Sequence, residues 1–144
     1  MINCVFCSIA AGDAAAAVVY QDERAVAFLD IRPLFAGHVL LAPKSHVATL
    51  PDLDAAAVGP LFATAQLLCR AVEEAMDADG SFVAINNRVS QSVPHLHVHV
   101  VPRKKKDGLR GFFWPRTSYR DGSHVEEVRR SIAEAANRLK ASGQ

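Results

Sequence analysis

The chain has 144 residues, 50% of them hydrophobic and 22% charged, with a formal net charge of +1. That length suits one domain with its own core and leaves little room for a second. The near-neutral charge offers no electrostatic footprint for a nucleic-acid partner, and the balance of residue types excludes a disordered or fibrous chain. The opening stretch, MINCVFCSIAAGD, lacks the basic region of a secretory signal and reaches the charge of Asp13 early. No unbroken apolar run approaches the ~18 residues that span a bilayer. The expectation is a cytoplasmic protein with no membrane partner and reduced thiols. Cys4, Cys7 and Cys69 are an odd set, which argues against a disulfide framework.

In chain order, residues 18–20 and 25–29 read as short strands around a polar turn at 21–24. Residues 32–37 form a loop, and 38–42 a buried strand stopped by Pro43. Residues 53–76 carry Leu61, Ala65, Leu68, Val72 and Met76 at three- and four-residue steps, the stripe of an amphipathic helix. Cys69 falls in that helix and reads as a small buried hydrophobe. Gly59-Pro60 disfavours helix, so an initial turn at 52–58 is expected to kink away from the main body. Gly80 is placed as the helix stop. Residues 81–85 and 95–101 read as two more strands. Ser123 with Glu126 has the spacing of a capping box, opening a last helix with Val125, Val128, Ile132, Ala135 and Leu139 on one face. Short connections between strands point to an α+β fold, an antiparallel sheet with a long helix and a C-terminal helix packed on it.

The most informative stretch is His95-Leu96-His97-Val98-His99-Val100-Val101. Side chains alternate faces along a strand, so three imidazoles at period two share a face, about 6.6 Å between neighbours, while the aliphatics enter the core. Such a row serves either a catalytic metal or a nucleophile with acid–base partners. Cys4-x-x-Cys7 is open to three readings: a redox pair, which lacks a surrounding βαβ pattern, two unrelated buried thiols, or half of a zinc site.

HLHVHVV resembles the signature of the histidine triad (HIT) family. The segments GHVLLAPKSH at 37–46 and AFLDI at 27–31 resemble further family segments, and Asn3-Cys4-Val5-Phe6-Cys7 with Gly12-Asp13 resembles the start of bacterial zinc-containing members. The likeness runs from residue 3 to about 103, within a single domain of 1–144 whose residues 104–144 form a C-terminal extension. It implies a five-stranded antiparallel sheet per subunit, a homodimer, and hydrolysis or transfer at the α-phosphate of a purine nucleotide or dinucleotide. Candidate substrates are dinucleoside polyphosphates and nucleoside phosphoramidates. By position, His97 would be the nucleophile, and His99 and His38 would contact the phosphate from either side. Gln91 and Ser92 would hold phosphate oxygens and the leaving group, with Asn86 bonding in the same pocket. Asp30 would bind the ribose hydroxyls, and Phe6, Ile9, Phe28, Ile31 and Leu40 would line an apolar slot for the base. Cys4, Cys7, His46 and His95 would hold a structural zinc ion. A nucleotide-binding or regulatory protein with little catalysis, and a zinc hydrolase using His95, His97 and His99 as ligands, are the alternatives.

The assignments agree with the chemistry of the side chains. A neutral imidazole is nucleophilic near pH 7, provided one ring nitrogen is unprotonated, and a hydrogen bond from the other nitrogen to a carbonyl fixes that tautomer. A covalent nucleotidyl-histidine divides one hard step into two. Residues 87–90 form a shorter loop than the family pattern, close to the expected leaving group, and Arg88 in it is a candidate cation for a polyphosphate. The basic run Arg103–Lys106 reads as a solvated loop. Phe112, Phe113 and Trp114 are expected to pack on the domain or across a dimer.

Overall fold

The computed structural model describes residues 3–110 and 115–143; Phe112, Phe113 and Trp114 lie outside them. Among the described residues, five strands form one antiparallel sheet: β1 (Val18–Gln21), β2 (Ala25–Leu29), β3 (Val39–Pro43), β4 (Gly80–Ala84) and β5 (Val98–Arg103), in the order β1-β2-β3-β5-β4. The helices are α1 (Val5–Ala11), α2 (Ala55–Ala75) and α3 (Gly122–Ala141), with a 3-10 turn at Leu50–Asp52 before α2. The chain divides into two compact units, Met1–Asp107 and Gly108–Gln144.

β3 is buried along its whole length and β2 up to Phe28, because both faces of the sheet are covered. On one face Ala25, Ala27, Val39, Leu41, Leu96, Val98 and Val100 pack with Leu61, Ala65, Leu68 and Val72, the stripe of α2. On the other face Val26, Phe28, Leu40 and Ala42 pack with Cys4 and Phe6 of the N-terminal segment. Burying one aliphatic side chain fully is worth roughly 1.5–3 kcal/mol, so these clusters fix the register. That register aligns Phe28 with Leu40, and Leu40 with His99, across three strands. Directly paired residues share a face, so a row running from apolar to imidazole crosses the site side of the sheet.

Several boundaries differ from the sequence reading. α1 was not foreseen. It has only seven residues, and what holds it is Phe6, whose ring meets Phe28 edge-on at 5.2 Å. α2 begins at Ala55, capped by the Asp54 carboxylate, and runs unbroken through Gly59-Pro60 instead of leaving a separate turn there. It ends at Ala75 with Met76 as the C-cap and Asp77 at φ 48, while Gly80 is the first residue of β4 and not the helix stop. An aspartate tolerates the left-handed conformation that the stop requires. By length and composition α2 is also apolar enough to cross a bilayer, with 21 residues that include an 18-residue stretch of mean hydropathy 1.4. Its stripe is spent on the sheet. β5 starts at Val98, because Leu96 N–H donates to Val47 O at 2.7 Å outside the ladder. α3 is capped by Asp121, which accepts from His124 N–H at 2.8 Å. The Ser123–Glu126 box does not form: Glu126 is paired with Arg129. None of the α3 residues is buried, and Ile132 is 65% exposed. The basic run is part solvated: Lys104, Lys105 and Lys106 are exposed, whereas Arg103 is held by Asp107.

Candidate active site

A cavity of about 360 Å³ opens on the α1 side of the sheet, lined by Phe6, Ile9, Phe28, Asp30, Ile31, Leu40, Ser92, His97 and His99, with Val5, Ala15, Ala16, Leu29, Arg32 and Val93 completing the wall. All five residues expected to form the apolar slot are there, although Ile31 is 95% exposed at the rim. The second group was not singled out from the sequence. The position of Arg32 beside Asp30 was the one usable signal for it, since alanines and valines carry none.

His97 is buried at 4% exposure. Its Nδ1–H donates to the His95 carbonyl oxygen at 2.7 Å, which leaves Nε2 as the unprotonated nitrogen of the neutral ring. The Phe6 ring stands edge-on to it at 5.0 Å and holds its plane. His99 lines the cavity, with Nδ1 2.9 Å from His38 Nε2, and its own Nε2 is buried without a partner. Burial, then the neighbouring His97 and His38, lower the His99 pKa to about 4, against the opposing pull of Asp30. Burial likewise lowers that of His38, again opposed by Asp30.

Asp30 accepts Arg32 N–H at 2.8 Å through Oδ1, an Asx turn that shapes the rim, and Oδ2 lies 3.7 Å from His38 Nε2. Ser92 is exposed at the mouth. Three expected contacts lie elsewhere. His38 stands behind His99 and does not line the cavity. Asn86 is half-buried and outside the wall. Gln91 is occupied at both ends: Nε2 donates to the Ala48 carbonyl at 2.6 Å, and Oε1 accepts Arg88 N–H at 2.9 Å. With both ends of its amide in use, Gln91 latches the 87–90 loop, in which Arg88 and Ser90 take φ values of 69 and 59. Arg88 faces Asp52 at 3.8 Å and is 70% exposed.

Cys4, Cys7, His46 and His95 bring one ligand atom each to within 4.8 Å of one another. His95 donates Nε2–H to the Pro43 carbonyl at 2.8 Å, so its bare Nδ1 faces Cys4 Sγ at 3.4 Å and Cys7 Sγ at 3.5 Å. Cys7 Sγ is also 3.3 Å from His46 Nδ1. The S···N edge of a tetrahedral zinc site is about 3.6 Å, from bonds of about 2.3 and 2.05 Å. Burial and then the adjacent Cys4 raise the Cys7 pKa, so a second thiolate there calls for a cation. The donor set fits zinc, and the carbonyl behind His95 supplies the usual outer support for a metal-bound imidazole. With His95 turned to the cysteines, the three triad histidines do not converge on one point, which disfavours a shared catalytic metal.

The whole arrangement is an imidazole just ahead of β5 that lines an apolar cavity, beside a compact thiol–imidazole cluster. The HIT domain profile matches residues 11–106, and the chain belongs to that family. It is 33% identical over 142 residues to "Protein hit" of Bacillus subtilis, covering 97% of each chain. It resembles Adenylylsulfatase HINT3 of Arabidopsis thaliana, 33% identical over 109 residues, 74% of this chain and 55% of that one. The asymmetrical bis(5'-nucleosyl)-tetraphosphatase of Schizosaccharomyces pombe is 36% identical over 92 residues, 62% of this chain and 50% of that protein. The crystal structure of a zinc-bound histidine triad family protein from Mycobacterium smegmatis superposes with a TM-score of 0.71 at 37% identity, covering 94% and 96% of the two chains.

Proposed function

We propose that this protein is a nucleotide hydrolase or nucleotidyl transferase that cleaves at the α-phosphate of a purine nucleotide, with His97 as the nucleophile. Dinucleoside polyphosphates and nucleoside phosphoramidates are its substrate class. The observation that carries the reading is the 2.7 Å hydrogen bond from His97 Nδ1–H to the His95 carbonyl, in a ring that lines the apolar cavity.

The base enters the slot formed by Phe6, Ile9, Phe28 and Leu40, and Asp30 accepts hydrogen bonds from the ribose hydroxyls at its rim. Nε2 of His97 forms a bond to phosphorus while the bond from phosphorus to the leaving oxygen or nitrogen breaks. Water then attacks the nucleotidyl-histidine, releases the nucleoside monophosphate and restores the imidazole. Charge that grows on the phosphate oxygens meets fixed donors, Ser92 Oγ–H at the mouth and His99 Nε2–H from the wall. A zinc ion on Cys4, Cys7, His46 and His95 would supply cohesion and no chemistry, since all four positions of such a site are filled by protein. His95 joins the two functions, because its backbone carbonyl sets the His97 tautomer while its side chain belongs to the zinc set. A homodimer in the cytoplasm completes this reading, the compartment being in keeping with three cysteines that form no disulfide.

The test is turnover of adenosine phosphoramidate by His97→Ala. Turnover disappears while AMP binding persists; residual activity within about tenfold of wild type removes His97 from the chemistry.

A further inference from the structure

His38 sits where the family likeness places a phosphate contact, yet its hydrogen bonds point away from the cavity. Its Nδ1 accepts Leu34 N–H at 3.1 Å. A backbone amide is always a donor, so Nδ1 of His38 holds a lone pair, and the neutral ring carries its proton on Nε2. That Nε2–H is 2.9 Å from His99 Nδ1, and Asp30 Oδ2, at 3.7 Å, is beyond hydrogen-bond reach. His99 Nδ1 is therefore the acceptor, and the proton of neutral His99 resides on Nε2. That atom is buried with no partner, in a residue that lines the cavity.

We propose that His38 is a positioning residue: a one-way chain of hydrogen bonds, from Leu34 N–H through His38, fixes His99 as a neutral ring whose Nε2–H is held ready to donate to a phosphate oxygen. The inference rests on the nucleotide reading for its ligand, and on the hydrogen bonds alone for its tautomers. An unpaired buried donor is destabilising in the free protein, and the phosphate that takes it up recovers that cost. The lowered pKa of His99 agrees, since a ring titrating near 4 is uncharged at neutral pH.

The same geometry argues against another occupant. Asp30, His38 and His99 could form a three-ligand metal group by distance alone. A metal on His38 Nε2 would drive the ring proton to Nδ1, against Leu34 N–H, so the cluster is wired for protons. The loop that carries Asp30 is closed by the same residue: Asp30 N–H donates to the His38 carbonyl at 2.9 Å, and His38 N–H to Phe35 O at 3.0 Å. The preceding Gly37 has φ +93, and a Cβ there would lie 2.6 Å from Met76 Cγ, so the loop fits tightly where it reaches His38.

The experiment is a long-range proton–nitrogen spectrum of histidine-labelled protein, with and without AMP. In wild type His99 is expected as the Nε2–H tautomer, and its Hε2 signal is expected to shift when AMP binds. In His38→Gln the side-chain amide still donates to His99 Nδ1, so the tautomer stays and kcat remains within about tenfold of wild type. In His38→Glu the carboxylate accepts instead. His99 turns to the Nδ1–H form, and kcat falls about a hundredfold, the scale for losing one oriented donor, with KM little changed. An Nδ1–H form of His99 in wild type, or an unchanged tautomer in His38→Glu, overturns the inference; should the glutamate variant fail to fold, the first two spectra still decide. If the tautomers are as stated but His97→Ala keeps its activity, the reading of the enzyme fails and the hydrogen-bond chain stands.

Discussion

The assignment of Asp30 to the ribose can be tested by a matched pair of changes. Its Oδ1 is already committed to Arg32 N–H at 2.8 Å, and the side chain is only 20% exposed. Oδ2 is therefore the oxygen with free acceptor capacity toward a ligand. A hydrogen bond to a charged group is worth about 1.5–3 kcal/mol. Removing the 2'-hydroxyl from the substrate should thus lower kcat/KM by roughly 10- to 150-fold in wild type. Asp30→Asn keeps an oxygen for Arg32 N–H and so keeps the rim, but presents an NH2 group in place of the free oxygen. In that variant the ribose substrate loses its advantage and the two substrates converge to within about threefold, allowing for one mispaired amide. The assay is steady-state kinetics of adenosine and 2'-deoxyadenosine phosphoramidates with both proteins. Full discrimination surviving in Asp30→Asn, or none in wild type, would refute the placement of the sugar.

Other consequences concern the supports of the site. Protein purified without a histidine tag is expected to carry about one zinc per chain, and less than about 0.2 would defeat the assignment of the four ligands. With free zinc at about a hundred times the dissociation constant, the ion adds about 2.7 kcal/mol of stability. Stripping it should therefore lower the thermal midpoint by about 10 °C, and a scan with and without chelator reads this. Stability should also fall in mild acid. His99 titrates near 4 when folded against 6.5 when free, so the unfolded chain takes up a proton that the folded one refuses. Its contribution is intact above pH 6.5 and drains away toward pH 4; by pH 5 the loss is about 2 kcal/mol. Urea unfolding at pH 7 and 5 should show this drop shrinking in His99→Gln; an equal drop in the variant contradicts it. Gln91→Ala should release the 87–90 loop, raising amide exchange there and lowering kcat more than it raises KM. Unchanged exchange with a raised KM would instead mean that Gln91 contacts the phosphate directly.

The sheet and the long helix were legible because burial leaves a periodic trace. The alternation of Leu96, Val98 and Val100 and the stripe from Leu61 to Val72 are the two faces of one core. The fate of single polar side chains left no such trace. Gln91 and His38 have the residue types for touching phosphate, but what they do depends on where Ala48 O and Leu34 N–H lie, and no local pattern records those positions. α1 escaped for a related reason, since seven residues without a side-chain cap rely on Phe6 finding Phe28 through tertiary contact. The kink expected between residues 52–58 and the main helix is absent, because the packing of Leu61, Ala65 and Leu68 carries α2 through Gly59-Pro60.

The most direct measurement is of the intermediate itself. Adenosine phosphoramidate is mixed with the enzyme, quenched in base to preserve a phosphorus–nitrogen bond, and the digest is mapped by mass spectrometry. One adenylyl group should sit on the His97 peptide, released by acid and missing from His97→Gly. Turnover with no adduct, or an adduct on any other residue, would contradict nucleophilic attack by the ring that the His95 carbonyl holds.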